Sequence, residues 1–194
     1  MIIKEFVRTS YEEADKLSRE LARTVTKEFE IETLVAPSRG AFIPARIIAD
    51  ELSIREIYSI GVKRFRKTGE SSQTVIYQDV PPDAVRFKNV LVAEEIIDEG
   101  LTSQKIVKNL KFYGPKEIRV ATIDIKSKSI FKPDYYMRSF PSTTWIVYDW
   151  MLKETILDLL EKSDNEMEAV KNLKKLDLDE EVRRKYIEEY FRKV

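Results

Sequence analysis

The sequence contains no cysteine and no histidine, and only 5 glycines. Without cysteine there is no disulfide framework, no thiolate metal site and no cysteine nucleophile. Without histidine there are no imidazole metal ligands, and the commonest general base is missing. Any chemistry therefore runs on carboxylates, lysine, arginine, tyrosine, hydroxyls and backbone amides. The chain also lacks an apolar run near the roughly 18 residues that make a membrane-spanning helix. It lacks an excess of either charge, since 34 Lys+Arg balance 34 Asp+Glu. No global field draws it to nucleic acid or an acidic membrane, and neither is expected as a partner. The opening stretch, MIIKEFVRTSYEEADKL, carries charges at Lys4, Glu5 and Arg8 where a secretory signal is apolar, so a cytoplasmic address is expected.

The 194 residues are 43% hydrophobic and 35% charged, enough apolar material for a globular core. Ser10 followed by Glu13 is a capping box, and Leu17, Leu21, Val25 and Phe29 recur at helical spacing, which predicts a helix over 10–29. The short apolar run Thr33 to Ala36 stops at Pro37-Ser38-Arg39-Gly40 and is followed by a helical stretch from Phe42 to Leu52. Residues 55–62 read as a strand, the polar and basic stretch Lys63 to Gln73 as a connecting loop, and 74–77 as a strand. Asn89 to Ala93 is a further strand, ending in the loop Glu94 to Gly100 before a helix over 102–112. Strands over 117–125 and 145–148 complete the pattern.

Strands alternating with helices predict an α/β fold, a mainly parallel sheet flanked by helices with its ligand site at the strands' C-terminal ends. After Trp150 the strand signal ends. Helical segments over 151–162, 164–175 and 179–192 follow, with a capping box at Ser163 and Glu166 and a cap at Asp177 or Asp179. The expected organisation is a core over 1–150 and a C-terminal helical bundle over 151–194.

The segment Val90 to Ser103 joins a buried strand, an acidic pair, a third acid, a glycine and two hydroxyl residues at a helix start. Backbone amides from Asp98 through Glu99, Gly100, Leu101, Thr102 and Ser103, with the positive end of the helix, make a cradle for a phosphate monoester. The carboxylates of Glu94 and Glu95 suit vicinal ribose hydroxyls or the water shell of a Mg²⁺ ion. At Ser38-Arg39-Gly40 a guanidinium beside exposed turn amides suits a polyanion.

The segment from Val90 resembles the signature of the type I phosphoribosyltransferases: four apolar residues, two acids, two apolar residues, acid, any residue, glycine, any residue, threonine. Glu94, Glu95, Asp98, Gly100 and Thr102 occupy the signature positions. The resemblance implies a type I phosphoribosyltransferase fold. It also implies a homodimer that binds phosphoribosyl pyrophosphate with Mg²⁺, its 5′-phosphate on 98–103 and its diphosphate on Ser38, Arg39 and Gly40. Glu94, Glu95 and Asp98 are then the catalytic acids, with Asp98 near purine N7. Residues 63–78 sit where the family carries a lid, with Arg64, Arg66 and Lys67 as possible diphosphate ligands beside the alternative of a solvated basic loop.

The order Asp124-Ile125-Lys126 and then Trp145-Ile146 is similar to the 6-oxopurine members of the family. There a lysine donates to O6, an aromatic residue stacks on the base, and backbone reads its edge; Lys126, Trp145 and Ile146, with Ile97, match those places. The helical tail resembles crenarchaeal adenine phosphoribosyltransferases, and with the double Glu it tips the expectation narrowly to adenine, with AMP and diphosphate as products in purine salvage. Hypoxanthine, guanine or xanthine is the alternative. A non-catalytic regulator that binds phosphoribosyl pyrophosphate is a further one.

Overall fold

The computed structural model describes residue 3, residues 5–65 and residues 73–192. The elements in chain order are β1 (Glu5–Thr9), α1 (Tyr11–Val25), β2 (Thr33–Ser38), α2 (Phe42–Glu51), β3 (Ile57–Phe65), β4 (Gln73–Gln78), β5 (Asn89–Ile97), α3 (Leu101–Lys111), β6 (Glu117–Lys126), β7 (Tyr135–Phe140), β8 (Thr144–Tyr148), α4 (Leu152–Glu161), α5 (Glu166–Leu173) and α6 (Glu180–Phe191). Short 3₁₀ turns occupy Pro82–Ala84, Asp149–Met151 and Lys174–Leu176.

Chain contacts draw two compact units, Ala14–Ser142 and a second made of Met1–Glu13 with Thr143–Val194. The boundary at 150, drawn from a change in sequence character, does not express this grouping, because β1 pairs with β8 and not with the larger sheet.

The larger unit is an α/β layer structure built on a six-stranded sheet of order β4-β3-β2-β5-β6-β7. All its neighbours are parallel except β3 and β4, which form an antiparallel pair. Side chains on a strand alternate between faces, and β2 and β5 show it directly. Leu34, Ala36, Leu91 and Ala93 pack with Leu21, Val25, Ala45 and Ile48 of α1 and α2. Val35, Val90 and Val92 pack with Ile106 and Leu110 of α3. Both faces of the central strands are covered, so they read as continuous apolar runs in the sequence.

The second unit holds the parallel pair β1–β8 and helices α4 to α6. Its core is Val147, Ile156, Leu160, Ala169, Leu173, Leu176, Leu178 and Ile187. Asn165 caps α5 by accepting from the Glu168 amide at 3.0 Å. Ser163, expected in that role, donates to the Leu159 carbonyl at 2.7 Å, because the helix starts two residues later than its capping-box pattern suggested. Asp179 occupies the N-cap of α6 without a side-chain hydrogen bond.

Other expectations shift in extent. α1 ends at Val25 rather than at 29, with β-branched Thr24 and Val25 in its last turn and Thr26 directly after it. β5 runs to Ile97, so Glu94 and Glu95 lie on the strand and not in the loop after it. β3 reaches Phe65, which shortens the expected loop; Arg66 and Lys67 lie outside the described residues. No helix among the described residues is long and apolar enough to cross a membrane.

Candidate active site

The C-terminal ends of β2 and β5 and the start of α3 enclose a cleft of about 210 Å³. Ser38, Arg39 and Gly40 line one side, and every residue from Glu94 to Ser103 contributes to the rest. Parallel pairing of β2 with β5 sends both strand ends, and the loops that follow them, to the same edge of the sheet. That is how two motifs far apart in the chain meet.

The N-terminus of α3 is built to leave donors available. Its N-cap is Gly100 at φ 85°, with no side-chain cap and no acid in the first turn. The first amide to bond within the helix is that of Gln104, which donates to the Gly100 carbonyl at 3.0 Å. Amides at the first turn of a helix carry a partial positive charge and favour an anion. Gly100 is fixed twice over, by its left-handed backbone and by the loop at 129–131. A Cβ there would lie 2.6 Å from both Ser129 Oγ and Phe131 Cβ.

The acidic pair sits in a different environment from an exposed carboxylate. Glu94 is 4% exposed and its Oε1 has no hydrogen-bond partner, while Ser103 of α3 bonds to its carboxyl. Burial pushes the Glu94 carboxyl up to about 8, with the Ser103 bond opposing and the charge of Glu95 adding to the rise. Burial likewise pushes Glu95 up to about 7. Carboxyls held in this range exchange protons near neutrality and respond strongly to an arriving cation or hydroxyl donor.

Gly40 lets the turn close onto this pair, since a Cβ at that position would overlap the Glu95 carboxyl group. The Ser38–Arg39 peptide is cis. Ser38 Oγ donates to the Ile60 carbonyl at 3.4 Å and meets the Tyr77 hydroxyl at 3.3 Å. Tyr77 was not legible as a site residue. It reaches Ser38 by crossing Gly61, where a Cβ would lie 2.5 Å from its ring. Arg64, on β3, lines the cleft and pairs with Glu99.

Ile97 lines the cleft and is also part of the core under α3. Lys126, Trp145 and Ile146 are not in its lining. Lys126 ends β6 at 4% exposure; burial lowers its ammonium pKa, and the charges of Asp98 and then Asp124 pull it back up. Trp145 and Ile146 belong to the second unit, where β8 carries them and Trp145 packs on the helical core.

A family model for the phosphoribosyl transferase domain matches residues 5–155. The chain belongs to this family. It is 28% identical over 143 residues to a xanthine-guanine phosphoribosyltransferase of Idiomarina loihiensis, a match that covers 73% of this chain and 84% of that protein. Among solved structures, a purine phosphoribosyltransferase from Pyrococcus horikoshii has a TM-score of 0.68 at 24% identity, covering 76% of this chain and 94% of that one. A xanthine-guanine-hypoxanthine phosphoribosyltransferase from Helicobacter pylori has a TM-score of 0.66 at 23% identity, covering 79% of this chain and 99% of that one. These two likenesses are of fold: the α/β sheet with flanking helices is the type I phosphoribosyltransferase arrangement.

Proposed function

We propose that this phosphoribosyltransferase uses a 6-oxopurine, joining ribose 5-phosphate from phosphoribosyl pyrophosphate to N9 of the base with release of diphosphate. The observation that carries the reading is one cleft in which the uncapped start of α3, the Glu94–Glu95 pair and the Ser38–Gly40 turn converge. Each recognises a different part of one ligand: a phosphate monoester, vicinal hydroxyls and a diphosphate.

For the base, two of the relatives named above are a xanthine-guanine and a xanthine-guanine-hypoxanthine phosphoribosyltransferase, which favours the 6-oxopurine alternative over the adenine expected from the helical tail. Lys126 supports the same choice, because an ammonium donates to a carbonyl oxygen and finds no acceptor in an exocyclic amine.

In this reading the amides of 98–103 hold the 5′-phosphate, and Arg39 with the Gly40 turn holds the diphosphate. Glu94 and Glu95 accept hydrogen bonds from the ribose hydroxyls, and Asp98 holds or moves the proton at purine N7. Rate then comes mainly from fixing the base against C1′ and from stabilising the departing charge. Mg²⁺ fits this all-oxygen site, where the buried Glu94 Oε1 is without a partner. No group of three acids among the described residues is arranged to hold the ion alone, so it would arrive with the ligand's oxygens beside Glu94 and Glu95. When bound, the ion neutralises charge on the diphosphate.

The test offers guanine, hypoxanthine, xanthine and adenine separately, with Mg²⁺ and phosphoribosyl pyrophosphate, and reads nucleotide formation. The expected kcat/KM for at least one 6-oxopurine exceeds that for adenine by about tenfold or more. Turnover of adenine alone would return the tail-based expectation. Ligand binding without turnover of any base would favour the regulator. Asp98→Asn is expected to lose turnover while still binding phosphoribosyl pyrophosphate.

A further inference from the structure

The β3–β4 pairing slips by one residue: Gly61 faces Gln78, while its neighbour Val62 faces Ile76. Tyr77 is the extra residue of a β-bulge, and a bulge re-aims the side chain it frees. Here that side chain crosses the bare backbone of Gly61, where a Cβ would lie 2.5 Å from the ring. Lys63 Nζ sits 5.0 Å from the ring centroid, a cation holding the ring by its face. The Tyr77 hydroxyl comes to 3.3 Å from Ser38 Oγ. Slip, glycine and cation together set one hydroxyl at the end of β2, where the turn that lines the cleft begins.

A serine hydroxyl has one proton to give and two lone pairs. Among the described residues two groups meet Ser38 Oγ, the Tyr77 hydroxyl and the Ile60 carbonyl at 3.4 Å. A carbonyl only accepts, so the Ser38 proton goes to Ile60 and Tyr77 is the donor to Ser38. The bond to Ile60 is long, and an anionic oxygen is a stronger acceptor than a carbonyl. A diphosphate in the Ser38–Gly40 turn therefore takes that proton, while Tyr77 keeps hold of the oxygen behind it. Hydrogen bonds in such a chain polarise one another, so the donor at the back strengthens the bond at the front.

We propose that Tyr77 is a positioning residue: its hydroxyl donates to Ser38 Oγ and so commits the Ser38 proton outward, to an oxygen of the departing diphosphate. This rests on the reading of Ser38 to Gly40 as the diphosphate turn. Ser38 lines the cleft and Tyr77 stands behind it, outside the lining, so Tyr77 acts through Ser38.

The test compares Tyr77→Phe, Ser38→Ala and the two combined against the unaltered protein. Tyr77→Phe keeps the ring over Gly61 and removes only the hydroxyl. Calorimetric titration uses two probes, inorganic diphosphate with Mg²⁺ and ribose 5-phosphate. Tyr77→Phe is expected to weaken diphosphate by about fivefold and leave ribose 5-phosphate within about twofold. Ser38→Ala should weaken diphosphate at least as much, and adding Tyr77→Phe to it should cost less than about twofold more. In turnover the same split should appear as a raised KM for phosphoribosyl pyrophosphate beside an unchanged KM for the base. Unaltered diphosphate binding in Tyr77→Phe, equal weakening of both probes, or a second full loss in the Ser38→Ala background would overturn the proposal.

A second readout needs no ligand. The backbone amide signals of residues 38–41, followed by NMR, should move on Tyr77→Phe, because Ser38 loses the donor that holds its oxygen. In the Ser38→Ala background the same substitution should leave them in place. Signals that stay still, or that move equally in both backgrounds, would overturn the role of Tyr77. An unaltered protein that binds no diphosphate would sink the reading of the turn, and these signals would still decide whether Tyr77 acts on Ser38.

Discussion

Gly40 and the carboxyl group of Glu95 share one space: a Cβ at position 40 would fall on the Glu95 side chain. The turn after β2 and the acid on β5 are therefore fitted to each other, and the need for glycine at position 40 is one of room. Gly40→Ala should push the Glu95 carboxyl away from the cleft. Expected is a rise in KM for phosphoribosyl pyrophosphate of about tenfold, with a change in stability of only about 1 kcal/mol because the turn is partly exposed. Steady-state kinetics beside a thermal melt separates the two, and an unchanged KM would show that Glu95 holds nothing of the ligand.

The acidic pair sets a pH dependence of stability in the ligand-free protein. Burial raises Glu94 and Glu95 to about 8 and about 7, above the ordinary 4.5 that the unfolded chain retains. Between those values the folded chain binds protons that the unfolded chain has released, so stability falls as pH rises from about 5 to about 8. Asp15 and Glu51, held low by their bonds to Arg19, act in the opposite sense but only below the ordinary carboxylate range. Scanning calorimetry across this window should show Tm dropping with pH, and Glu94→Gln should flatten the slope. A flat profile in the unaltered protein would mean that both carboxyls titrate normally.

The central strands and the α3 start were legible because their signals are local. Two fully covered parallel strands write themselves as apolar runs, and Gly100 after an acid marks a helix entered from a tight turn. β1 and β7 were not read as strands. In β7 the inward Arg138 breaks the apolar alternation, and only its partner Asp124 on β6 makes that burial tolerable. In β1 the pairing partner is β8, at the far end of the chain, so nothing nearby announces it. Tyr77 escaped for the same reason: its link to Ser38 depends on the register of β3 with β4 and the bare backbone of Gly61. The extension of β5 through Glu94 and Glu95 was hidden because two adjacent acids read as loop until β6 is seen pairing along Glu94.

Gly100 answers to a different constraint from Gly40. Its φ of 85° is disfavoured for any side chain, and the added Cβ would also meet the backbone amide of Phe131 at 2.8 Å. Gly100→Ala should therefore cost stability, about 1–3 kcal/mol. It should also weaken binding of a phosphate monoester by displacing the amides at the start of α3. Titration with ribose 5-phosphate isolates this effect, since that ligand has no diphosphate to engage Arg39. Unaltered affinity for it would move the phosphate site away from α3.

The helical tail offers a test of what its apolar stripe is for. Leu173 is fully buried among Ile156, Leu160, Leu176 and Ile187, whereas Met167, on the same helix, is 83% exposed. If the stripe is a core, Leu173→Ala removes packed methyl groups from a site that cannot collapse, at about 2–5 kcal/mol. Met167→Ala should change stability by no more than about 0.5 kcal/mol. Chemical denaturation of both variants decides it: equal, small effects would mean that the segments at 152–191 draw their stability from something other than this cluster.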